Sequence, residues 1–403
     1  MKGKIGLCVL LALIMPILAS ADDSSFQSLL QKLDDEKAKV RMDAAWSLAK
    51  TGDPRAVQPL IQHLEDQDKD VREWAALALV SLGEPSVEPL IEALNKSDLV
   101  RWQAAAALGQ IHDPRATVPL MQALKGADEN TRCWAAISLG ELKDARAKEA
   151  LIQSLADKSQ NVRDASGRAL IEIEGPGAIY LLTGLLHEDN SSIRMGSASA
   201  LGKANDIRAE PPLISALNDS DAAVRAAAAD SLGRLRSTQA VDQLIRLLAD
   251  DSPMAREAAS RSLARIGQPA FAALITALDE GKSSTQSGAA AALGEMGDPR
   301  AIEPLIEAFQ NGDSSVRHNA VLSLAKIDPS SMAKPFMDLL GSNSSAIRAD
   351  AAWALGLSGT EDATAKSRLL QMMANDSDSD ARFNASRSLR QLGGKWDPVA
   401  LEF

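Results

Sequence analysis

The chain has 403 residues and a formal net charge of −11, which makes it a poor general ligand for nucleic acid or anionic lipid. It is 45% hydrophobic but only 3% aromatic, so Ala, Leu, Val and Ile must supply most of the packing. Tryptophan makes up six of the few aromatic residues, an unusual share whose placement needs explaining.

In chain order, the first element is MKGKIGLCVLLALIMPILASADD. Lys2 and Lys4 form a charged start, Ile5 to Leu18 an apolar run, and Ala19-Ser20-Ala21 a small-residue cleavage site. The pattern predicts a secretory signal peptide over 1–21, cut after Ala21. The run is short for a membrane span, and no later segment could make one. An uncleaved N-terminal anchor is the alternative reading. Cleavage would remove Lys2 and Lys4 and take the net charge to −13. Cys133 would then be the sole cysteine, so no intramolecular disulfide could form.

From residue 40 onward one motif recurs. It reads VRMDAAWSL (40–48), VREWAALAL (71–79), VRWQAAAAL (100–108), TRCWAAISL (131–139), VRDASGRAL (162–170) and IRMGSASAL (193–201). It continues as VRAAAADSL (224–232), AREAASRSL (255–263), TQSGAAAAL (285–293), VRHNAVLSL (316–324), IRADAAWAL (347–355) and ARFNASRSL (381–389). Of these twelve copies, only the ninth lacks Arg at the second place, with Gln286 there. A second motif interleaves: DPRAVQPLIQHL (53–64), DPRATVPLMQAL (113–124) and DPRAIEPLIEAF (298–309).

Each unit therefore reads as two helices. Helix A carries the PLIxxL pattern, with Pro59, Pro89, Pro119, Pro212, Pro304 and Pro335 near its start, where a missing N–H is tolerated. Helix B carries the Val-Arg motif. Asp221, Asp313 and Asp378 stand where its N-cap belongs, and Gly83 and Gly297 where it ends. A single hairpin of this kind cannot bury its apolar faces, whereas stacked hairpins can. The predicted fold is all-α: an α-solenoid of about twelve two-helix repeats forming one domain over 22–403.

The pattern resembles HEAT repeats, of the short type named after phycobilisome (PBS) lyases, over residues 24–403. The resemblance implies that the B helices line a concave, partner-binding surface. It says little about function, because one solenoid serves many tasks.

Counting the first motif residue as position 0 and turning 100° per residue, the recurrent apolar positions +4, +8 and +11 fall within one arc. Positions +2, +3, +6 and +10 fall opposite and should line the concave face. In repeats 1–4 they hold Met42, Trp46, Trp74, Leu77, Trp102, Cys133, Trp134 and Ile137. An exposed apolar patch rich in tryptophan marks an interaction site. Trp74 and Trp134, at +3, border the core arc and have packing as the competing reading. In the middle repeats the face carries Arg168, Lys203, Arg234, Arg261 and Arg265. These suit an anionic partner, against the alternative of a solvated face balanced by Asp164, Glu172, Asp230 and Glu257. The motif arginines themselves are expected to bond carbonyls or acids of adjacent units as a structural ladder.

Catalytic chemistry finds no constellation. The histidines are His63, His112, His187 and His318; none forms the repeated His-Glu pairs of metal-dependent HEAT hydroxylases. Cys133 has no histidine at the matching place in neighbouring repeats and reads as a small apolar residue of the face. Asp66, Asp68 and Asp70, and Asp376, Asp378 and Asp380, alternate as in a calcium loop. However, Val71 and Ala381 stand where that loop needs Gly, and Leu77 and Arg387 where it needs Glu. These aspartates read as caps, and no metal or cofactor is expected.

Repeat 9 departs from the pattern, with Gln286, Gly281 and Gly288. The link to repeat 12 is long, and 393–403, with Trp396 and Phe403, could cap the last repeat. The function expected is an exported, monomeric scaffold that binds a protein or peptide partner on its concave surface. It would bind no nucleic acid and would not insert in a membrane. The alternatives are a lyase or maturation-factor subunit of the bilin-lyase type, and a structural cell-envelope scaffold.

Overall fold

A computed structural model describes residues 23–393; the expected signal peptide, and Trp396 and Phe403, lie outside the described residues. All elements among the described residues are helical, and none is a strand. None of these helices is long and apolar enough to cross a membrane. The fold is an all-α solenoid of stacked hairpins. Twelve B helices carry the twelve motif copies. In repeats 1–6 they are Ala38–Thr51, Lys69–Leu82, Asp98–Ile111, Glu129–Leu142, Gln160–Glu174 and Ser191–Ala204. In repeats 7–12 they are Ala222–Leu235, Pro253–Ile266, Ser283–Met296, Ser314–Ile327, Ser345–Ser358 and Ser379–Gln391. The chain divides into two compact units at Ala200–Leu201, inside the B helix of repeat 6.

Helix A is in most repeats shorter than helix B and usually begins with a 3-10 turn. The DPR triplet builds that turn. Asp53, Asp113 and Asp298 each accept the backbone N–H of the arginine two residues on, while that guanidinium folds back onto the same carboxylate. Asp144 and Asp206 do the same without the proline. Pro59 therefore lies in the α-helical segment Val57–Gln62 that follows the 3-10 turn. Asp221, Asp313 and Asp378 cap their B helices as the spacing predicts. Gly83 and Gly297 close theirs. The leucines at +8, Leu48, Leu79, Leu108 and Leu139 among them, are buried.

The motif arginines act chiefly within their own hairpin. Arg41, Arg132, Arg225 and Arg348 each donate to two carbonyls of the turn that precedes their helix. The same four reach the next hairpin, pairing with Asp66, Asp157, Asp250 and Asp376, and Arg317 likewise pairs with Asp350, all at 2.6–2.7 Å. The ladder between repeats is thus intermittent. Hydrogen bonds from Arg225 and Arg348 hold the Asp250 and Asp376 carboxyls below the usual carboxylate range. These partners also account for the Asp-rich turns: Asp66 and Asp376 receive arginines, while Asp68 and Asp378 cap helices. In repeat 9, Gln286 takes over the carbonyl-capping half of the arginine's work, donating to Leu278 and Asp279. The long link before repeat 12 is absorbed by its A helix, a continuous Ala363–Asn375.

Adjacent B helices meet along a seam of small residues at +7 and +9. Ser138, Ser262, Ser323 and Ser388, all at +7, are buried and donate at 2.8 Å to Ala105, Ala229, Ala290 and Ala352 of the preceding repeat. Opposite each serine stands Gly109, Gly233, Gly294 or Gly356, at +9. A Cβ at Gly109 would lie 2.4 Å from Ser138 Oγ, and one at Gly294 would lie 2.3 Å from Ser323 Oγ. Glycine therefore fixes how closely these helices approach. Between repeats 2 and 3, 8 and 9, and 10 and 11, the +9 residue is Val80, Ala264 or Ala325, the +7 residue is alanine, and the B helices meet less extensively, whereas repeats 1 and 2, with Ala49 and Ala78 at those places, meet as closely as the glycine seams.

Gly109→Ala should therefore destabilise the chain by about 1–3 kcal/mol from overpacking, although alanine is the better helix former by about 1 kcal/mol. Urea denaturation of the full chain measures the difference. Stabilisation by this substitution would show that the seam does not set the spacing.

Candidate functional site: the outward face of the B helices

The core arc and the seams occupy three sides of each B helix. What remains outward are positions +2, +3, +6 and +10. In residues 23–200 the structure resolves the tryptophans into two pairs, each bridging adjacent repeats. Trp46, at +6 of repeat 1, meets Trp74, at +3 of repeat 2, edge to face with centroids 5.6 Å apart. Trp102, at +2 of repeat 3, stacks on Trp134, at +3 of repeat 4, with centroids 6.2 Å apart. Such pairs contribute about 0.5–1.5 kcal/mol beyond the area they bury. All four rings stay half-buried, as do Met42, Leu77, Cys133 and Ile137. Lys50 Nζ lies 5.4 Å from the Trp46 ring centroid, a cation–π contact at the edge of the patch. Packing and exposure are thus not alternatives for Trp74 and Trp134: each packs against a partner ring and retains an accessible edge.

Burial raises the pKa of the Cys133 thiol, and its Sγ lies 3.8 Å from the Asn161 carbonyl. A thiol with a raised pKa in this setting is a poor nucleophile. At +10 of repeats 4 and 5 stand Glu141 and Glu172, folded over Gly109 and Gly140 of the seams. Burial first, and the Glu172 carboxylate second, push the Glu141 carboxyl up to about 7.

The predicted cations separate in the structure. Arg168 belongs to the first unit, is exposed, and its Nε donates to the Asp164 carbonyl at 3.4 Å. In the second unit Lys203 is half-buried and Arg234 is exposed. Arg261 and Arg265 both approach Asp230, each at 3.4 Å, and Arg261 also lies 3.8 Å from Glu257. Glu172, offered as a balancing acid, acts instead on Glu141, whose carboxyl its charge helps to push up.

Several residues of this face lie outside the expected site. His318 stacks on Trp353, with centroids 4.9 Å apart and planes within 13°. Leu322 at +6 of repeat 10 and Phe383 at +2 of repeat 12 are exposed, Phe383 by 66%. Their signal was the same as for the early tryptophans, apolar residues at +2 and +6.

With this geometry in view, the family is plain. The family model for HEAT repeats matches in overlapping stretches over residues 11–202 and 210–390. That for the PBS lyase HEAT-like repeat matches residues 193–219. The chain belongs to the HEAT-repeat family. No curated protein matches its sequence. Among solved structures it is similar to Kap95p, whose binding induces the switch loops of RanGDP to adopt the GTP-bound conformation (13% identity, 97% of this chain and 67% of that one, TM-score 0.43). It is also similar to the karyopherin Kap121p bound to the extreme C-terminus of the protein phosphatase Cdc14p (14% identity, 96% and 51%, TM-score 0.46). A third is the Kap95:Nup1 complex (13% identity, 94% and 62%, TM-score 0.47). The chain spans half to two thirds of the length of these chains, and the likeness is one of fold alone.

Glu141 gives the face a pH signature. Its folded pKa is above its ordinary value, so its contribution to stability is complete below about 4.5 and is lost as pH rises through about 7. Glu141→Gln should match wild type in melting temperature near pH 4 and exceed it near pH 8. Parallel melting curves for the two proteins across that range would contradict the burial of this carboxyl.

Proposed function

We propose that the protein is a non-enzymatic scaffold that holds a protein or peptide segment on the B-helix face of repeats 1–4, taken as the concave face of the stack. The observation that carries this reading is the two half-buried tryptophan pairs, Trp46–Trp74 and Trp102–Trp134, on one face. Paired rings lose little further freedom on binding, because each already rests on its neighbour. They offer large apolar edges, with Met42, Leu77 and Ile137 around them, in the manner of preorganised hot spots. At about 8–10 Å between packed helices, four B helices span roughly 30 Å. That length suits an extended segment of about nine residues, at about 3.3 Å each. Export, with cleavage after Ala21, belongs to the same proposal and rests on the charged start, apolar run and small-residue site of the first 21 residues.

The Trp46→Ala, Trp102→Ala double variant tests it. Peptides selected on the full mature chain from a displayed random library should bind the double variant about tenfold or more weakly. Its melting temperature should stay close to that of wild type. Equal affinity would remove the face from the function, and collapse of the fold would make the rings structural.

A further inference from the structure

The second unit holds a cleft on the outward side of its own B helices, and its chemistry differs from that of the tryptophan patch of repeats 1–4. It lies between the B helices of repeats 8 and 9, has a volume of about 590 Å³, and is open to solvent. Its volume falls within the range of specific binding sites. The cleft lies where neighbouring B helices meet less extensively. The helices of repeats 7 and 8 are drawn together by Gly233 against Ser262, and those of repeats 9 and 10 by Gly294 against Ser323. Between repeats 8 and 9 the seam is Ala264 facing Ala292, and the gap stays open. The repeat 9 side is lined by Ser287, Gly288 and Ala291, side chains too small to fill it.

The polar groups point to an anionic occupant. Arg256 and Arg261 line one wall. Beside them Arg261 and Arg265 share one carboxylate, Asp230, at 3.4 Å each, and Arg234 is exposed, with no ion pair to any described residue. On the acidic side, Glu295 is held by Lys326, leaving Glu257, 73% exposed and 3.8 Å from Arg261. The cations of this surface therefore outnumber its acids in a chain whose net charge is −11. The floor offers hydroxyls: Ser260 is bonded to the Gly288 carbonyl, and Ser287 receives Asn319 Nδ2 at 2.7 Å. Farther along the same face stand the His318–Trp353 stack and the exposed Leu322 and Phe383.

We propose that the cleft between repeats 8 and 9 binds an acidic peptide segment of a partner protein. Its carboxylates lie on Arg261 and Arg265, and an apolar residue of the same segment rests toward Leu322 and Trp353. The site uses residues of the second unit alone and stands independently of the tryptophan pairs of repeats 1–4.

The test is fluorescence anisotropy of the full mature chain with three short labelled peptides. One is Glu-rich with a single Leu, and the others are its Gln-rich and Lys-rich counterparts. The Glu-rich peptide should bind, with an affinity that falls as salt rises, and the other two should not. The double variant Arg261→Glu, Arg265→Glu should lose about tenfold or more in affinity. Ala291→Trp, which fills the cleft on an outward position, should lose as much while the melting temperature holds. The Trp46→Ala, Trp102→Ala variant should bind this peptide as wild type does. Equal binding of the Gln-rich peptide, undiminished binding by the Ala291→Trp chain, or binding of a sulfated glycan with none of the Glu-rich peptide would each overturn the proposal.

Discussion

The close approach of neighbouring B helices, made possible by glycine at +9 against serine at +7 in several repeats, governs much of what the rest of the surface can do. Where glycine faces serine, the backbone of one helix nearly touches the side-chain base of the next. The serine hydroxyl then satisfies itself on a carbonyl of the preceding helix, as Ser138 does on Ala105. Each such bond contributes about 0.5–1.5 kcal/mol net, but its larger consequence is geometric. A tight seam brings Trp102 and Trp134 into a stack, and a looser one leaves the cleft between repeats 8 and 9. Seam residues, which never touch a partner, thereby shape the places where one could bind.

The two units present different chemistry on equivalent positions. In residues 23–200 the outward positions carry paired tryptophans, Met42, Leu77 and Ile137, with charges of both signs around them. In residues 201–393 they carry Arg234, Arg261 and Arg265, small residues over the cleft, and then an aromatic and apolar group ending in Phe383. A repeat fold permits this division because each hairpin needs only its buried stripe and its seam to stack. The outward positions are then free to differ from one repeat to the next.

Much of this was legible in the sequence. The motif spacing gives the hairpins, the Asp caps and the buried leucines, because helix periodicity acts within one segment. The outward assignment of +2, +3 and +6 follows from the same arithmetic. What the arithmetic misses are relations between helices. Gly109 and Ser138 lie 29 residues apart, and neither looks special until the two helices are set side by side. For the same reason Trp74 reads as a residue between packing and exposure, when its packing partner is another outward tryptophan, Trp46. His318, dismissed as a metal ligand, likewise acquires a role only through Trp353 of the next repeat. From the sequence, the motif arginines read as a ladder to carbonyls or acids of adjacent units. The structure makes them turn caps first, since the nearest unsatisfied carbonyls are those of their own hairpin.

Hydroxyl-radical footprinting with mass spectrometry tests the central claim most directly, because it reads tryptophan accessibility ring by ring. In the free chain Trp46, Trp74, Trp102 and Trp134 should all be oxidised, more slowly than the exposed Phe383. A peptide bound to repeats 1–4 should protect both pairs together and leave Phe383 unchanged. Rings that resist oxidation in the free chain, or pairs that stay equally reactive with the peptide bound, would contradict the account.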